Sequence, residues 1–577
     1  MLAANRPFRL TIYALLAAIL YLPGLGQPAL WEPDEGRYAE IAREMVVSGD
    51  YVTPRDDFEP YFEKPPLVYW ANAASIRIFG ANEFAARLPS ALFSIGQIVV
   101  TAAFAEVILG AATGLFTALA LSLSPLFFGF AGFATLDPAL AFFLTAALAA
   151  FYLAAREDSL SQSSARRWLL TSAAMLALGT LAKGPVALLL GGAIALIWLA
   201  AERRLGQVAQ MPLVWCGLIY ATIVLPWFIL MEARNPGFLR FFFIHEHLER
   251  YLSSSEHGWG PWFFIPIVIG GAWPWIFFVP PGWSALRARA ALPEGSSPTS
   301  SQRPSANFLA IWFVVIFVFF SIPRSKLGSY ILPALPPLSI VAGYGLARLS
   351  ALEDASRRRL LGVVAIANLV LAAGLCVLFE LARAPISPAL GFDGLLIAAV
   401  LAAGAIAMYV FGRTASRLSY AIGALSIAML VTVPLSARVR DDASVISTYR
   451  NLANAVGPYL AGDCTLASYR HYVQSLPFYT RVRESRVEYW GELSEVSPPT
   501  PGKSPFLIGS EARLLQAWSS GACMVLVANA RDVKGLEDSL KPAPVVVGCE
   551  GKKFALYNGA LAPPPSAAAC LESGVKN

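Results

Sequence analysis

The chain has 577 residues, 56% of them hydrophobic and only 14% charged, with a mean hydropathy of +0.57, a balance that excludes a water-soluble globular protein of this size. The net charge of +6 would suit a polyanion. However, the arginines fall in groups between hydrophobic runs rather than in one basic stripe, so they report membrane topology and not nucleic-acid binding.

Apolar runs of about 17 to 25 residues recur as far as residue 436, each long enough to cross a ~30 Å hydrocarbon core as a helix, and about thirteen fit by that length rule. The expected class is a mainly α-helical polytopic membrane protein. A transmembrane domain covers 1–436, with amphipathic helices in a juxtamembrane segment over 26–87, and a soluble α/β domain covers 437–577.

The first span, near 10–25, follows Arg6 and Arg9 and precedes an acidic segment, which puts the N-terminus in the cytoplasm. A cleaved signal peptide is the other reading, and it also sends Asp34 outside. The first long polar segment carries WEPDEGRYAEIAREM (31–45) and YFEKPPLVYW (61–70). Pro33 suits the first turn of a helix, Glu35 its positive end and Gly49 its stop. Tyr38, Ile41, Ala42 and Met45 recur as one apolar face, so this helix is expected to lie along the membrane surface. Pro65-Pro66 suit the start of a second helix running toward Gly80.

Spans follow near 88–107, 112–131 and 137–155, ending at Arg156, Arg166 and Arg167. A hydrophobic hairpin over 168–201 has Lys183-Gly184-Pro185 at its outer tip and closes inside at Arg203 and Arg204. A span at 212–231 leads to the outer loop FFFIHEHLERYL, and the next returns to Arg287 and Arg289. Two spans flank an outer SIPRSKLGSYILP. Three more, near 360–382, 391–412 and 418–436, leave Arg357, Arg358, Arg359, Arg413 and Arg417 inside. The count is odd, so the C-terminal domain lies outside.

In that domain SVISTYRNLANAVGPYL reads as a helix with Val445, Thr448, Leu452 and Val456 on one face. CTLASYR, RVEYWGEL, SPFLIGS, ACMVLVANA and PVVVGC read as strands, with helical EARLLQAW among them. The tail LAPPPSAAAC reads as loosely ordered. Cys216 and Cys376 fall within spans, whereas Cys464, Cys523, Cys549 and Cys570 lie in an oxidising compartment with three pairings open.

Asp34 stands three residues before Arg37 and four before Tyr38, so acid, guanidinium and phenol share one side of the helix. Alone, that is an ordinary charged helix start. Glu63-Lys64 adds to it, because two prolines remove two amide donors from the following helix start and leave Lys64 to carry an anion contact. Glu63 could accept a hydrogen bond, hold the lysine, or ligate a divalent cation together with a substrate phosphate; no other cofactor is expected.

Asp137 is either a helix cap or a functional acid. Lys183, at the tip of a hydrophobic hairpin, needs a partner. Arg324 and Lys326 before Tyr330 make a basic outer loop that calls for an anion. His245 and His247 are two apart and face apart on a helix, which favours polar contacts over a zinc site. Acids for an amino or hydroxylated sugar, together with cations for phosphate, suit a lipid-linked phosphosugar. Its phosphate would meet Lys64, Lys183, Arg324 or Lys326 and its sugar would project to Asp34, with electrostatic stabilisation of the leaving phosphate.

WEPDEGRYAEIAREM, FEKPPLVYW, LDPA, LAKGP, HEHLERYL and SKLGSYILPALPPL resemble the bacterial members of the protein O-mannosyltransferase superfamily of GT-C glycosyltransferases. Within it they are most similar to the 4-amino-4-deoxy-L-arabinose transferases that modify lipid A. The resemblance implies an inverting pentosyl transfer from undecaprenyl phosphate to lipid A at the periplasmic face of the bacterial inner membrane, in polymyxin resistance, by a monomer among membrane lipids. It implies Asp34 and Asp137 as the catalytic acids, Lys64 with Glu63 at the carrier phosphate, and Arg37 and Lys183 in the cavity beside it. Tyr38, Tyr61 and Tyr330 would line the cavity, with which Glu35, His245 and His247 are grouped.

Another sugar, or a protein or glycan acceptor, is the alternative within the same chemistry. A hydroxyl acceptor would require Asp34 as general base, whereas a phosphate monoester, with a second pKa of about 6, would not. A lipid or sugar transporter would carry inverted repeats and midplane ionisable groups, and the sequence shows no such repeat.

Overall fold

The computed structural model describes residues 5–157, 162–249, 258–290, 306–383, 388–444, 448–462, 464–489, 507–508 and 510–559. They divide into two compact units, one made of Met1–Pro23 with Ser90–Asp442 and the other of Gly24–Pro89 with Ala443–Asn577. The sequence reading grouped 26–87 with the spans; contacts group it with the C-terminal residues instead. Val445 and the second half of RVEYWGEL fall outside the described residues.

Among its described residues the membrane unit has helices and no strand. Among the described residues seven helices are long and apolar enough to cross a bilayer, or up to nine if two bent pairs each count as one span. The expectation of thirteen further depends on Arg6–Tyr21, Ser163–Lys183, Val186–Ala201 and Ala306–Ser321, which are shorter or carry charges at their ends. The run expected as one span over 112–131 is Ala111–Ser122 and Pro125–Ala131, bent by 65°. Pro125 has no N–H to continue the ladder and disfavours helical backbone at Ser124, so the break sits there. The hairpin turn falls where expected, with Gly184 in the left-handed region at φ +91°.

Glu106 is buried and accepts hydrogen bonds from Arg9 (3.0 and 2.9 Å) and Tyr13 (3.0 Å), which ties the first helix to the next. Close helix packing uses small residues: a Cβ on Gly282 would lie 2.1 Å from the Val341 carbonyl and one on Gly345 2.2 Å from that of Phe278.

In the second unit, Asp34–Ser48 and Leu67–Phe79 are helices, and Arg55–Asp56 (β1) pairs antiparallel with Glu59–Pro60 (β2). Asp34–Ser48 ends at Gly49 with φ +71°, as the sequence predicts. It is not a surface helix, however. Every residue from Glu35 to Met45 is buried, polar ones included, because the inward charges meet partners both within the helix and outside it. Arg43 is bidentate to Glu40 (2.7 and 2.5 Å), and the Glu44 carboxylate accepts the Phe58 N–H at 2.9 Å.

Glu35 meets Arg87, and both are 1% exposed. Arg87 Nε and Nη2 donate to the two carboxylate oxygens at 2.7 and 2.6 Å, and its remaining donors reach the carbonyls of Leu25, Pro28 and Ala29 at 2.7 to 2.9 Å. Glu35 therefore fixes the loop before the helix, and is not the cavity-lining acid expected from its place in the motif.

The C-terminal residues form a six-stranded sheet. Its strands are Thr465–Tyr469 (β3), Glu484–Val487 (β4), Leu507–Ile508 (β5), Met524–Asn529 (β6), Val545–Glu550 (β7) and Lys553–Tyr557 (β8), in the order β5-β4-β3-β6-β8-β7. β5, β4, β3 and β6 run parallel, and β6, β8 and β7 antiparallel. β8 and the helix Ala530–Ser539 were not expected from the sequence. Arg450–Leu460 buries Leu452 and Val456 as predicted. Cys464 pairs with Cys523, at the start of β3 and just before β6.

Replacing Arg87 by Met leaves Glu35 a buried, uncompensated carboxylate. The expected loss is about 3–5 kcal/mol in unfolding of the detergent-solubilised protein, with Glu35→Gln in the same chain restoring part of it.

Burial pushes the Asp57 carboxyl up to about 7, against the Glu484 N–H, Arg486 and Arg483, which lower it. A raised carboxyl contributes stability that is fully present below its unfolded pKa and is lost as pH rises through the folded value. Thermal unfolding of this unit is therefore expected at higher temperature at pH 6 than at pH 8. Asp57→Asn should shrink the difference, and greater stability at pH 8 would contradict the prediction.

Candidate active site

The residues singled out from the sequence fall into two groups, one within each unit. In the second unit they form a line of alternating charge. Asp34 opens its helix with a side chain 37% exposed, against 7% for Arg37, so it is the accessible acid of an otherwise buried segment. Arg37 Nη1 lies 3.9 Å from Asp34 Oδ1 and donates to the Tyr61 hydroxyl at 3.5 Å, with the guanidinium 5.8 Å from the Tyr61 ring centroid. The Tyr61 hydroxyl donates to Glu63 Oε2 at 3.0 Å, and Lys64 Nζ stands 3.7 Å from the same oxygen.

Burial holds the phenols of Tyr38, Tyr61 and Tyr69 well above their usual pKa, so they stay protonated, and that of Tyr61 donates to Glu63. The rings of Tyr38 and Tyr69 pack 5.8 Å apart behind Arg37. Tyr69 was not picked out from the sequence, although it lies in the same motif as Tyr61. The helix after Glu63-Lys64 starts at Leu67 with Pro66 as its cap, in keeping with Lys64 rather than backbone amides offering the positive charge.

Among the described residues no cluster of three or more His, Cys, Asp or Glu is placed to hold a metal. Glu63 faces a phenol donor and an ammonium, so these residues do not themselves build a metal site.

In the membrane unit, Asp137 begins Asp137–Ala155 and Lys183 ends Ser163–Lys183, and the two form an ion pair. Lys183 Nζ also lies 4.3 Å from the Tyr330 ring centroid. The depth that made Lys183 conspicuous is thus matched by a carboxylate and a π-face. His247 reaches the same turn: a Cβ on Gly184 would lie 2.6 Å from its Nε2, while Nδ1 is 2.6 Å from the Phe242 carbonyl oxygen. His245 packs its ring against Phe241 at 5.1 Å.

Of the two basic residues near Tyr330, Lys326 is buried and donates to the carbonyls of Trp259 (3.0 Å) and Pro323, whereas Arg324 is exposed. Arg324 is the more accessible cation of that loop. The arrangement places compensated, pre-positioned charges in each unit, with Asp34, Lys64 and Arg324 the more open among them.

A model of the dolichyl-phosphate-mannose-protein mannosyltransferase family matches residues 8–242. The undecaprenyl phosphate-alpha-4-amino-4-deoxy-L-arabinose arabinosyl transferase of Shewanella sediminis is 30% identical over 503 residues, covering 84% of this chain and 86% of that one. A second enzyme of that name, from Pseudomonas fluorescens, is 34% identical over 59% of this chain and 56% of its own. The crystal structure of ArnT from Cupriavidus metallidurans bound to undecaprenyl phosphate superposes with a TM-score of 0.81 at 29% identity, over 97% of this chain and 100% of that one. The motifs, the polytopic helical fold with its C-terminal sheet, and these likenesses agree, and the chain belongs to the undecaprenyl phosphate-alpha-4-amino-4-deoxy-L-arabinose arabinosyl transferase family of glycosyltransferases.

Proposed function

We propose that this protein transfers 4-amino-4-deoxy-L-arabinose from undecaprenyl phosphate to a phosphate of lipid A, at the periplasmic face of the bacterial inner membrane. The observation that carries the reading to particular residues is Asp34, the accessible acid at the head of a buried helix and the start of the line Asp34, Arg37, Tyr61, Glu63, Lys64. The placing of arginines between spans supports a cytoplasmic N-terminus and a periplasmic second unit.

In the transfer, the bond between the anomeric carbon and the carrier phosphate breaks as an acceptor phosphate oxygen attacks from the opposite face, and the configuration inverts. Charge develops on the leaving phosphate, which a cation stabilises: Lys64 is the candidate in the second unit, and Lys183 and Arg324 are the candidates in the membrane unit. Lys326, bound to carbonyls, shapes the loop that presents Arg324. Because a phosphate acceptor is already ionised near neutral pH, Asp34 has no strong base work to do. It orients the acceptor or the sugar amine and supports positive charge at the anomeric carbon. Asp137 keeps Lys183 in place.

Purified protein given undecaprenyl phosphate-linked aminoarabinose and lipid A should add one pentosamine mass to lipid A by mass spectrometry. No increment from well-folded protein would overturn the reading. Lys64→Ala should lower turnover by about a hundredfold or more at unchanged expression, and retained turnover would remove Lys64 from the phosphate site. Because Lys183 meets the ring of Tyr330, Tyr330→Phe should stay near wild type in the same assay. Tyr330→Leu should lose activity, by an amount in keeping with a cation–π contact of about 0.5–2 kcal/mol. Equal losses in the two would shift the role to the hydroxyl.

A further inference from the structure

The residues on either side of Asp34 in sequence meet the same two residues of the C-terminal sheet. The Glu32 carboxylate accepts the Ser475 N–H at 2.8 Å through Oε1 and the Gln474 N–H at 3.0 Å through Oε2. Gly36 packs on the same dipeptide. A Cβ there would lie 2.7 Å from the Ser475 nitrogen, 2.9 Å from its Cβ and 3.0 Å from the Gln474 carbonyl carbon, so no side chain fits at 36. Pro33, with its ring-restricted φ, links Glu32 to Asp34. A shift of Gln474-Ser475 therefore reaches Asp34 from both sides through a stiff connection.

The place where Glu32 is held is informative. β3 is followed in the sheet by β4 and then β5 on one side, while the later strand β6 pairs on its other side. The sheet's order thus reverses between β3 and β6. In open parallel sheets the crevice beyond the carboxyl ends of strands, at such a reversal, is where ligands bind. Gln474 and Ser475 lie in the loop leaving the carboxyl end of β3, and the anion bound there is the chain's own Glu32.

Burial pushes the Glu32 carboxyl up to about 7 while the Ser475 and Gln474 amides and Arg37 pull it down. Those amides are among the groups that favour its anion. Further ties between the motif segment and the C-terminal residues are spread away from Asp34: Asp57 with the Glu484 N–H (2.9 Å), Glu59 with Arg483 (2.8 Å) and Glu83 with Arg450 (2.7 Å).

We propose that Glu32 is a positioning residue for Asp34, and that the C-terminal α/β sheet serves the transfer by binding Glu32 in its switch-point crevice as an internal ligand. This rests on the proposed transfer for its catalytic half, while the clamp itself is read independently of turnover.

The test compares full-length wild type, Glu32→Gln, Glu32→Asp and Glu32→Ala in detergent, by hydrogen exchange of the segment containing the Gln474 and Ser475 amides and by steady-state transfer. Glu32→Gln is close to isosteric, so it separates loss of the clamp from failure to fold. In Glu32→Ala, exchange in that segment should quicken at least tenfold, with Glu32→Gln between it and wild type. The kcat of both should fall tenfold or more at nearly unchanged KM for the lipid-linked sugar, and Glu32→Asp should recover part of it.

Unchanged exchange in Glu32→Ala would overturn the clamp. Faster exchange with wild-type kcat would overturn the positioning role. Wild-type protein that shows the slow exchange but no transfer would overturn the functional reading and leave the clamp supported.

Discussion

Arg87 is buried with its five N–H groups directed at two carboxylate oxygens and three carbonyls, and the geometry of the motif segment depends on it. A guanidinium has five donors in a rigid fork and cannot shed its charge, so it can be buried only where all five are met. Meeting them here requires the 25–29 loop to turn its carbonyls inward and Glu35 to face the buried guanidinium. That fixes the rotation of the helix Asp34–Ser48 about its axis. With Glu35 committed inward, Asp34 is left as the open acid and Arg37 and Tyr38 are set behind it.

The same physics recurs wherever a charge sits in low dielectric. Asp137 with Lys183 and Glu106 with Arg9 and Tyr13 are compensated across separate helices, and Glu40 with Arg43 and Glu63 with Tyr61 and Lys64 by neighbours close in sequence. Compensation holds the charges in position before a ligand arrives. A site that handles a phosphate leaving group needs that, because donors and cations already in place cost no reorganisation during the reaction.

The second unit is discontinuous in sequence, and its joints are polar. Asp56 accepts from Tyr472, Asp57 from the Glu484 amide and Glu32 from Gln474 and Ser475, each across more than four hundred residues. Buried carboxylates meeting amides and phenols give a directional joint rather than a greasy one, and direction is what a segment carrying reactive groups requires.

Composition and the spacing of apolar runs by themselves determined that this is a polytopic helical membrane protein with a C-terminal α/β region, since span length and strand alternation are local properties. The order WEPDEGRY, FEKPP, LDPA, LAKGP determined the family, and the depth of Lys183 announced that it needed a partner. Tertiary structure alone decided that the partner is Asp137 together with the ring of Tyr330. It also decided that Glu35 serves Arg87, that the motif helix is buried on every side, and that Cys464 pairs with Cys523. A helical period reports which residues share a face, but not what that face meets. A polar face in the sequence reads as solvated until the arginine, amide or carbonyl that desolvates it arrives from a distant part of the chain. For Glu32 the partner is more than four hundred residues away, and no local pattern could carry it.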